Sequence, residues 1–195
     1  GLYWADIYHP DTYIDAVSDG AATVPVRKHE RVNMYGASST LAKGNWIIKA
    51  ESAYWKDLKY THTPHDTFSR LDIMAGLEYS GFTDTRITLE LINQHLFNYK
   101  TQLKNDPGGV DENQLQWVIC TERDFMHETL TLAFLAAGYG EQCQGGAYQR
   151  ISAEYDISDS ITAKAGVVFY QSGDLPGFND IGGNDQLFLE LKFSF

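Results

Sequence analysis

From about residue 46 to the end of the chain, apolar side chains recur at every second position, and no stretch repeats them at helical spacing. Between 46 and 55, Trp46, Ile48, Ala50, Ser52 and Tyr54 share one face while Lys49 and Glu51 share the other. Segment 69–79 sets Leu71, Ile73, Ala75, Leu77 and Tyr79 against Arg70, Asp72 and Glu78, and segment 85–97 sets Ile87, Leu89 and Leu91 against Arg86 and Glu90. The pattern continues over 115–125 (Leu115, Trp117, Ile119 against Gln116, Glu122, Asp124) and 130–139 (Leu130, Leu132, Phe134 against Thr131 and Tyr139). It closes with 147–157 (Ile151, Ala153, Tyr155 against Arg150, Glu154, Asp156), 161–171 (Ala163, Ala165, Val167, Phe169 against Lys164, Tyr170) and 186–195 (Leu187, Leu189, Leu191, Phe193, Phe195 against Gln186, Glu190, Lys192). A period of two predicts strands whose two faces differ in character, so the expected fold is all-β and antiparallel.

The polar faces of these windows hold Lys49, Glu51, Arg70, Asp72, Glu78, Arg86, Glu90, Glu122, Asp124, Arg150, Glu154, Asp156, Lys164, Glu190 and Lys192, whereas the apolar faces hold only Arg123. Strands of a soluble sandwich also alternate, but they run ~5 to 6 residues. These windows are about twice that length; eleven residues tilted at ~45° rise roughly 25 Å, the height of the apolar band of an outer-membrane barrel. Connections alternate as well. Short turns fall at 43–45, 80–84, 126–128 and 158–160, and longer polar loops at about 57–68, 98–112, 140–146 and 172–185. Periplasmic turns are short and extracellular loops long in such barrels, which would place the carboxyl terminus in the periplasm. Upstream, 30–40 reads as a strand with Val32, Met34 and Gly36 on its apolar face, 2–8 as its partner, and 9–29 as an external loop. The expectation is a transmembrane β-barrel of about ten strands, whole or the carboxyl-terminal part of a larger one, in a single domain over residues 1–195.

Aromatic residues collect where strands would cross the two interfaces. Trp46, Tyr79, Phe125, Tyr155, Phe193 and Phe195 would form one girdle, and Tyr54, Phe97, Tyr139 and Phe169 the other. Lys and Arg total 15 against 26 Asp and Glu, a net charge of −11, which argues against a phosphate-backbone partner and so against nucleic acid. Mean hydropathy is −0.33 and no apolar run approaches the ~20 residues of a spanning helix. The chain starts at Gly1 with no initiator Met or signal peptide, which reads as a processed protein or a piece of a longer one. Cys120 and Cys143 form neither a zinc cluster nor a disulfide framework, and no bond between them is expected.

The run Leu187-Phe-Leu-Glu-Leu-Lys-Phe-Ser-Phe195 resembles the assembly signal of Gram-negative outer-membrane proteins. That likeness implies recognition by the barrel-assembly machinery through Leu189, Leu191, Phe193 and Phe195. Arg31-Val-Asn-Met-Tyr-Gly-Ala-Ser, residues 69–85, Thr121-Glu-Arg-Asp-Phe and residues 183–195 together resemble the carboxyl-terminal part of a domain-of-unknown-function family of Gram-negative outer-membrane proteins. Members of that family are considerably longer. The resemblance implies association with an RND-type exporter and a periplasmic lipid-sorting-like protein, and trafficking of hydrophobic molecules or lipids. It brings no catalytic residues.

Two readings of the polar faces compete: a wet channel whose mixed wall filters by charge, or Arg and Glu pairs that fill a narrow barrel. Expected rungs are Arg70 or Asp72 with Arg86 or Glu90, and Arg150 or Glu154 with Lys164. His62, His65 and Asp66 have metal-ligand chemistry, but a solvated loop shaped by Pro64 is the plainer reading and no metal or other cofactor is expected. Acidic loop residues such as Asp106 and Asp111 could hold cations that bridge lipopolysaccharide, but loops kept soluble by their charge are the plainer reading. His95 with Ser52, Asp57 or Asp66 would suit a rim hydrolase only if the fold brought them together, and no hydrolase or nucleotide motif appears. The sequence thus favours a passive outer-membrane channel or transport component, set among outer-membrane lipid and lipopolysaccharide, for hydrophobic or lipid-like compounds. The alternative is a structural or adhesive barrel with a charge-filled lumen.

Overall fold

The structure, a computed structural model, describes residues 1–18 and 23–194. Ten strands form one antiparallel sheet in sequential order. They are β1 (Leu2–Ser18), β2 (Thr23–Lys43), β3 (Trp46–Leu58), β4 (Phe68–Tyr79), β5 (Thr85–Phe97), β6 (Asn113–Phe125), β7 (Leu130–Tyr139), β8 (Gly146–Ser158), β9 (Ile161–Gln171) and β10 (Gln186–Phe193). From β3 onward the strand limits lie within a few residues of those that period two predicts. β1 and β10 end the pairing order, and no ladder joins them among the described residues. No helix among those residues is long and apolar enough to cross a membrane, which says nothing of strands.

Turn chemistry sets the short connections. Lys43 and Trp46 are joined by Gly44 and Asn45 alone, with Gly44 at φ 58, the arrangement in which a glycine at the first central position matches the twist of the flanking strands. Met126, His127 and Glu128 all take positive φ between β6 and β7. Two of the longer connections carry a short 3-10 segment, at Thr101–Asn105 and Ile181–Gly183.

The amino-terminal segment departs from expectation. Residues 9–18 and 23–29 are not loop but the far halves of two long strands, paired from Leu2↔Ala37 to Ser18↔Thr23. Thr12, Tyr13, Ile14, Val24 and Val26 favour extended backbone, Pro10 falls in the register shift between Tyr8 and Thr12, and Pro25 lies across from Ala16 in an edge hairpin that tolerates it. The tip of the presumed loop, residues 19–22, lies outside the described residues. A second correction concerns orientation. Val32 is fully buried in a cluster with Leu58, Phe68, Leu96 and Leu103, and Phe68 and Leu96 have the parity of Arg70 and Glu90. Val32 therefore belongs to the charged face, and Asp6 and Arg31, of the other parity, sit on the opposite one, joined through two hydrogen bonds of 2.8 and 2.9 Å.

The chain divides into two compact units. The first comprises Gly1–Ser39, Ala50–Met74 and Asn93–Gln114 and holds the cluster around Val32. The second comprises Thr40–Lys49, Ala75–Ile92 and Leu115–Phe195. Its buried residues are small, Ala136, Ala137 and Ala147, where closely packed strands need no bulky side chain. In both units large apolar side chains lie in the open: Ile48, Ile73, Leu91, Ile151, Leu189 and Leu191 are all exposed.

Candidate functional site: the charged face of the sheet

In the second unit the strand ladders fix the charged face row by row. Glu190 lies opposite Lys164 on β9, which lies opposite Glu154 on β8, which lies opposite Thr131 on β7, which lies opposite Asp124 on β6. Lys164 Nζ donates to Glu154 Oε2 at 2.7 Å. Thr131 Oγ1 donates to Asp124 at 2.6 Å, and in the next row Thr162 Oγ1 donates to Asp156 at 2.7 Å with Lys192 across from Thr162. Further pairs are Lys49 with Glu78 at 3.5 Å and Arg86 with Glu122 at 3.8 Å. Glu51 is exposed and Glu90 half-buried.

In the first unit Arg70 takes its carboxylate from its own strand and not from β5, as its predicted rung would require, while its guanidinium lies 5.8 Å from the Trp55 ring centre on β3. Residues i and i+2 share a strand face, so its guanidinium grips Asp72 on β4 through Nε at 2.8 Å and Nη2 at 3.0 Å, and Trp55 Nε1 donates to the same carboxylate at 2.8 Å. Beside this triad Tyr13 donates to Glu30 at 3.2 Å and Lys59 approaches Glu30 at 3.5 Å. His9 meets the Trp55 ring edge-on at 5.4 Å, and its Nδ1 accepts from Asp11 N–H at 3.2 Å. Burial lowers the His9 pKa below 6.5; Asp11 opposes and Arg70 reinforces the shift. Burial likewise raises that of Tyr60.

The 98–112 loop lies against this cluster. Leu103 is fully buried. The buried Asp106 carboxylate accepts from Thr61 N–H and His62 N–H, both at 2.8 Å, and pairs with His62 Nδ1 at 2.6 Å. Lys100 donates to Asp66 at 2.8 Å. His62 and Asp66 thus bind the loop rather than a common ion, and no group of three or more potential metal ligands occurs among the described residues. Beneath the loop His9, Glu30, Lys59, Tyr60, Arg70 and Asp106 line a cavity of about 50 Å³, room for a few waters.

The sequence did not point to His9, Tyr13, Glu30, Trp55 or Lys59 as neighbours of Arg70. Nor did it single out Phe188, although that residue shares the parity of Gln186 and Glu190. Tyr139 has the parity of Thr131, so it stands on the charged face against Phe178 at 5.0 Å and not in an outer girdle. Tyr54 and Phe97 do share the apolar face, 6.2 Å apart, as do Trp46 and Tyr79 at 4.3 Å at the short-turn end. His95 shows the apolar-face parity too; it bonds Asn113 at 2.9 Å and touches neither Ser52 nor Asp57 nor Asp66. Leu189, Leu191 and Phe193 are exposed on β10 opposite Ala165, Ala163 and Ile161, and Phe195 lies outside the described residues. Cys120 and Cys143 are free thiols. Comparison with protein-family models, curated proteins and solved structures finds no match to this chain.

Proposed function

We propose that these ten strands belong to a β-barrel of the Gram-negative outer membrane, with the short turns periplasmic, that serves as a passive channel or transport component for hydrophobic or lipid-like compounds. One observation carries the reading. Along β4 the side chain of Asp72 is only 19% exposed while its neighbour Ile73 is 50% exposed, and the same inversion recurs at Ile48 beside Lys49, at Leu89 and Leu91 beside Glu90 and at Ile151 beside Arg150. Water would penalise that arrangement by ~25 cal/mol per Å² of apolar surface, whereas acyl chains suit it. On the first two strands the exposed apolar run Leu2, Trp4 and Tyr35 gives way to the Asp6–Arg31 pair, so the hairpin beyond it, His9 included, stands clear of the apolar band.

Transport follows from the mixed charges of the sheltered face and from the family likeness, which also suggests an RND-type exporter and a periplasmic lipid-sorting-like protein as partners. No catalysis is assigned. Reconstitution in planar bilayers and in liposomes tests the reading; ion conductance or solute entry supports it, and an ion-tight, solute-tight barrel contradicts its transport part. The water-sized cavity under the 98–112 loop favours a second reading, a structural or adhesive barrel, and that tight outcome is what it predicts.

A further inference from the structure

The charged face of β7–β10 has two zones. At the short-turn end its rows are Asp124, Thr131, Glu154, Lys164 and Glu190, with Asp156, Thr162 and Lys192 below, and each described carboxylate there has a cation or hydroxyl beside or across from it. Towards the long loops the rows change character. Tyr148 pairs with Tyr170, Arg150 pairs with Val168 on one side and Leu135 on the other, and Ser152 pairs with Gly166, which faces Phe188. Among the described residues of β7–β10 the only charge in these rows is Arg150; on β6, Glu122 stands across from Ala133 in the Ser152 row and pairs with Arg86 at 3.8 Å.

Arg150 has no carboxylate partner among the described residues, and its Nε is buried without an acceptor. The guanidinium lies 4.7 Å from the Phe188 ring centre. Gly166 makes that approach feasible: a Cβ there would stand 2.6 Å from Phe188 Cζ, so only glycine lets the ring cross β9 towards Arg150 on β8. Tyr148 and Tyr170, with ring centres 6.5 Å apart, extend the aromatic surface. A half-sheltered guanidinium satisfied only by a ring face retains its hydrogen-bonding capacity for an anion.

We propose that this zone is a binding subsite for amphiphiles with a single acidic head group. Arg150 receives the head group, and Phe188, Tyr148 and Tyr170 carry the apolar body. The assignment rests on the transport reading above and names its substrate class.

The test uses the full chain inserted into phosphatidylcholine vesicles, with protein-free vesicles subtracted, and equilibrium binding of laurate, dodecyl phosphate, dodecanol and dodecyltrimethylammonium. Expected is binding of one or both anions, with Arg150→Met weakening it about tenfold or more and Arg150→Lys less, as loss of a charge-assisted hydrogen bond requires. Phe188→Ala is expected to weaken the anions and dodecanol alike, whereas Arg150→Met leaves dodecanol unchanged. Loss of only one anion identifies the head group as carboxylate or phosphate and supports the subsite. Inserted wild-type protein that binds neither anion, or inserted Arg150→Met that binds them as wild type does, overturns the subsite and leaves the membrane reading standing. Failure of the wild-type chain to insert at all overturns the membrane reading, and the subsite with it.

Discussion

Lys164 and Glu154 face each other directly across the β8–β9 ladder, with Nζ 2.7 Å from Oε2. Glu190 flanks Lys164 from the other side, so one ammonium separates two carboxylates. Their side chains are 30% and 45% exposed, which screens the pair and limits its worth to about 0.5–1 kcal/mol. A double-mutant cycle with Lys164→Gln and Glu154→Gln, read by urea unfolding in detergent, is expected to show coupling of that size. In bilayers Lys164→Gln alone is expected to shift ion selectivity towards cations, because it leaves two carboxylates unopposed. No coupling and no shift would mean that this rung neither braces the sheet nor faces a permeable space.

Asp106 holds the 98–112 loop to the 59–67 loop through three donors. Asp106→Ala removes the acceptor of two partly buried backbone N–H groups and is expected to cost about 1–2 kcal/mol. Limited proteolysis is the sharper readout. Cleavage within 98–112 is expected to accelerate while β7–β10 stay protected, and an unchanged cleavage pattern would refute the latch.

Leu103 is the loop's apolar anchor, fully buried against Val32, Leu58, Phe68 and Leu96. Leu103→Ala removes most of that contact, and a destabilisation of about 2 kcal/mol or more is expected in the first unit. If the loop also narrows a passage, single-channel conductance rises with the same substitution. Wild-type stability in the variant would show that the cluster closes without the loop.

His9 gives the first unit an acid sensitivity. Burial lowers its pKa in the folded chain below the 6.5 of the unfolded one. The unfolded state therefore takes up a proton first as pH falls, so the stabilising contribution is fully present above pH 6.5 and is lost on descent through the folded-state pKa. Wild type is expected to lose stability between pH 7.5 and pH 5 by more than His9→Gln does. Trp55 emission, obtained by difference from Trp55→Phe, reports the event through the 5.4 Å ring contact. Parallel pH profiles for wild type and His9→Gln would remove His9 as the cause.

The strands from Trp46 onward were legible because each carries one apolar and one polar face, and period two is a local signal. The Lys164–Glu154 rung was legible for the same reason, as one of the pairs the alternation allowed. The far halves of β1 and β2 were not. Pro10, Gly20 and Pro25 read as loop punctuation, and the bulge at Tyr8/Thr12 that accommodates Pro10 depends on pairing with a distant segment. Nor could spacing reveal that Trp55 and Arg70 share Asp72, or that Asp106 reaches Thr61, since these contacts join residues 17 and 45 positions apart. Arg70 misled because a long side chain can satisfy itself two residues along its own strand. Phe188 was hidden by company: in a run of alternating Leu and Phe, one aromatic of the opposite parity draws no notice.

The central claim, that the exposed apolar face meets lipid and the charged face does not, is tested most directly by site-directed spin labelling in vesicles. With Cys120 and Cys143 replaced by Ser, single labels at consecutive positions 161–169 and 187–193 are read for collision with oxygen, which partitions into acyl chains, and with a water-soluble nickel chelate. The account predicts that labels at Ala163, Ala165, Val167, Leu189 and Leu191 collide with oxygen, that labels at Thr162, Lys164, Glu190 and Lys192 collide with nickel or are shielded from both, and that the two profiles alternate out of phase with period two. Nickel access at both parities, without alternation, would contradict it.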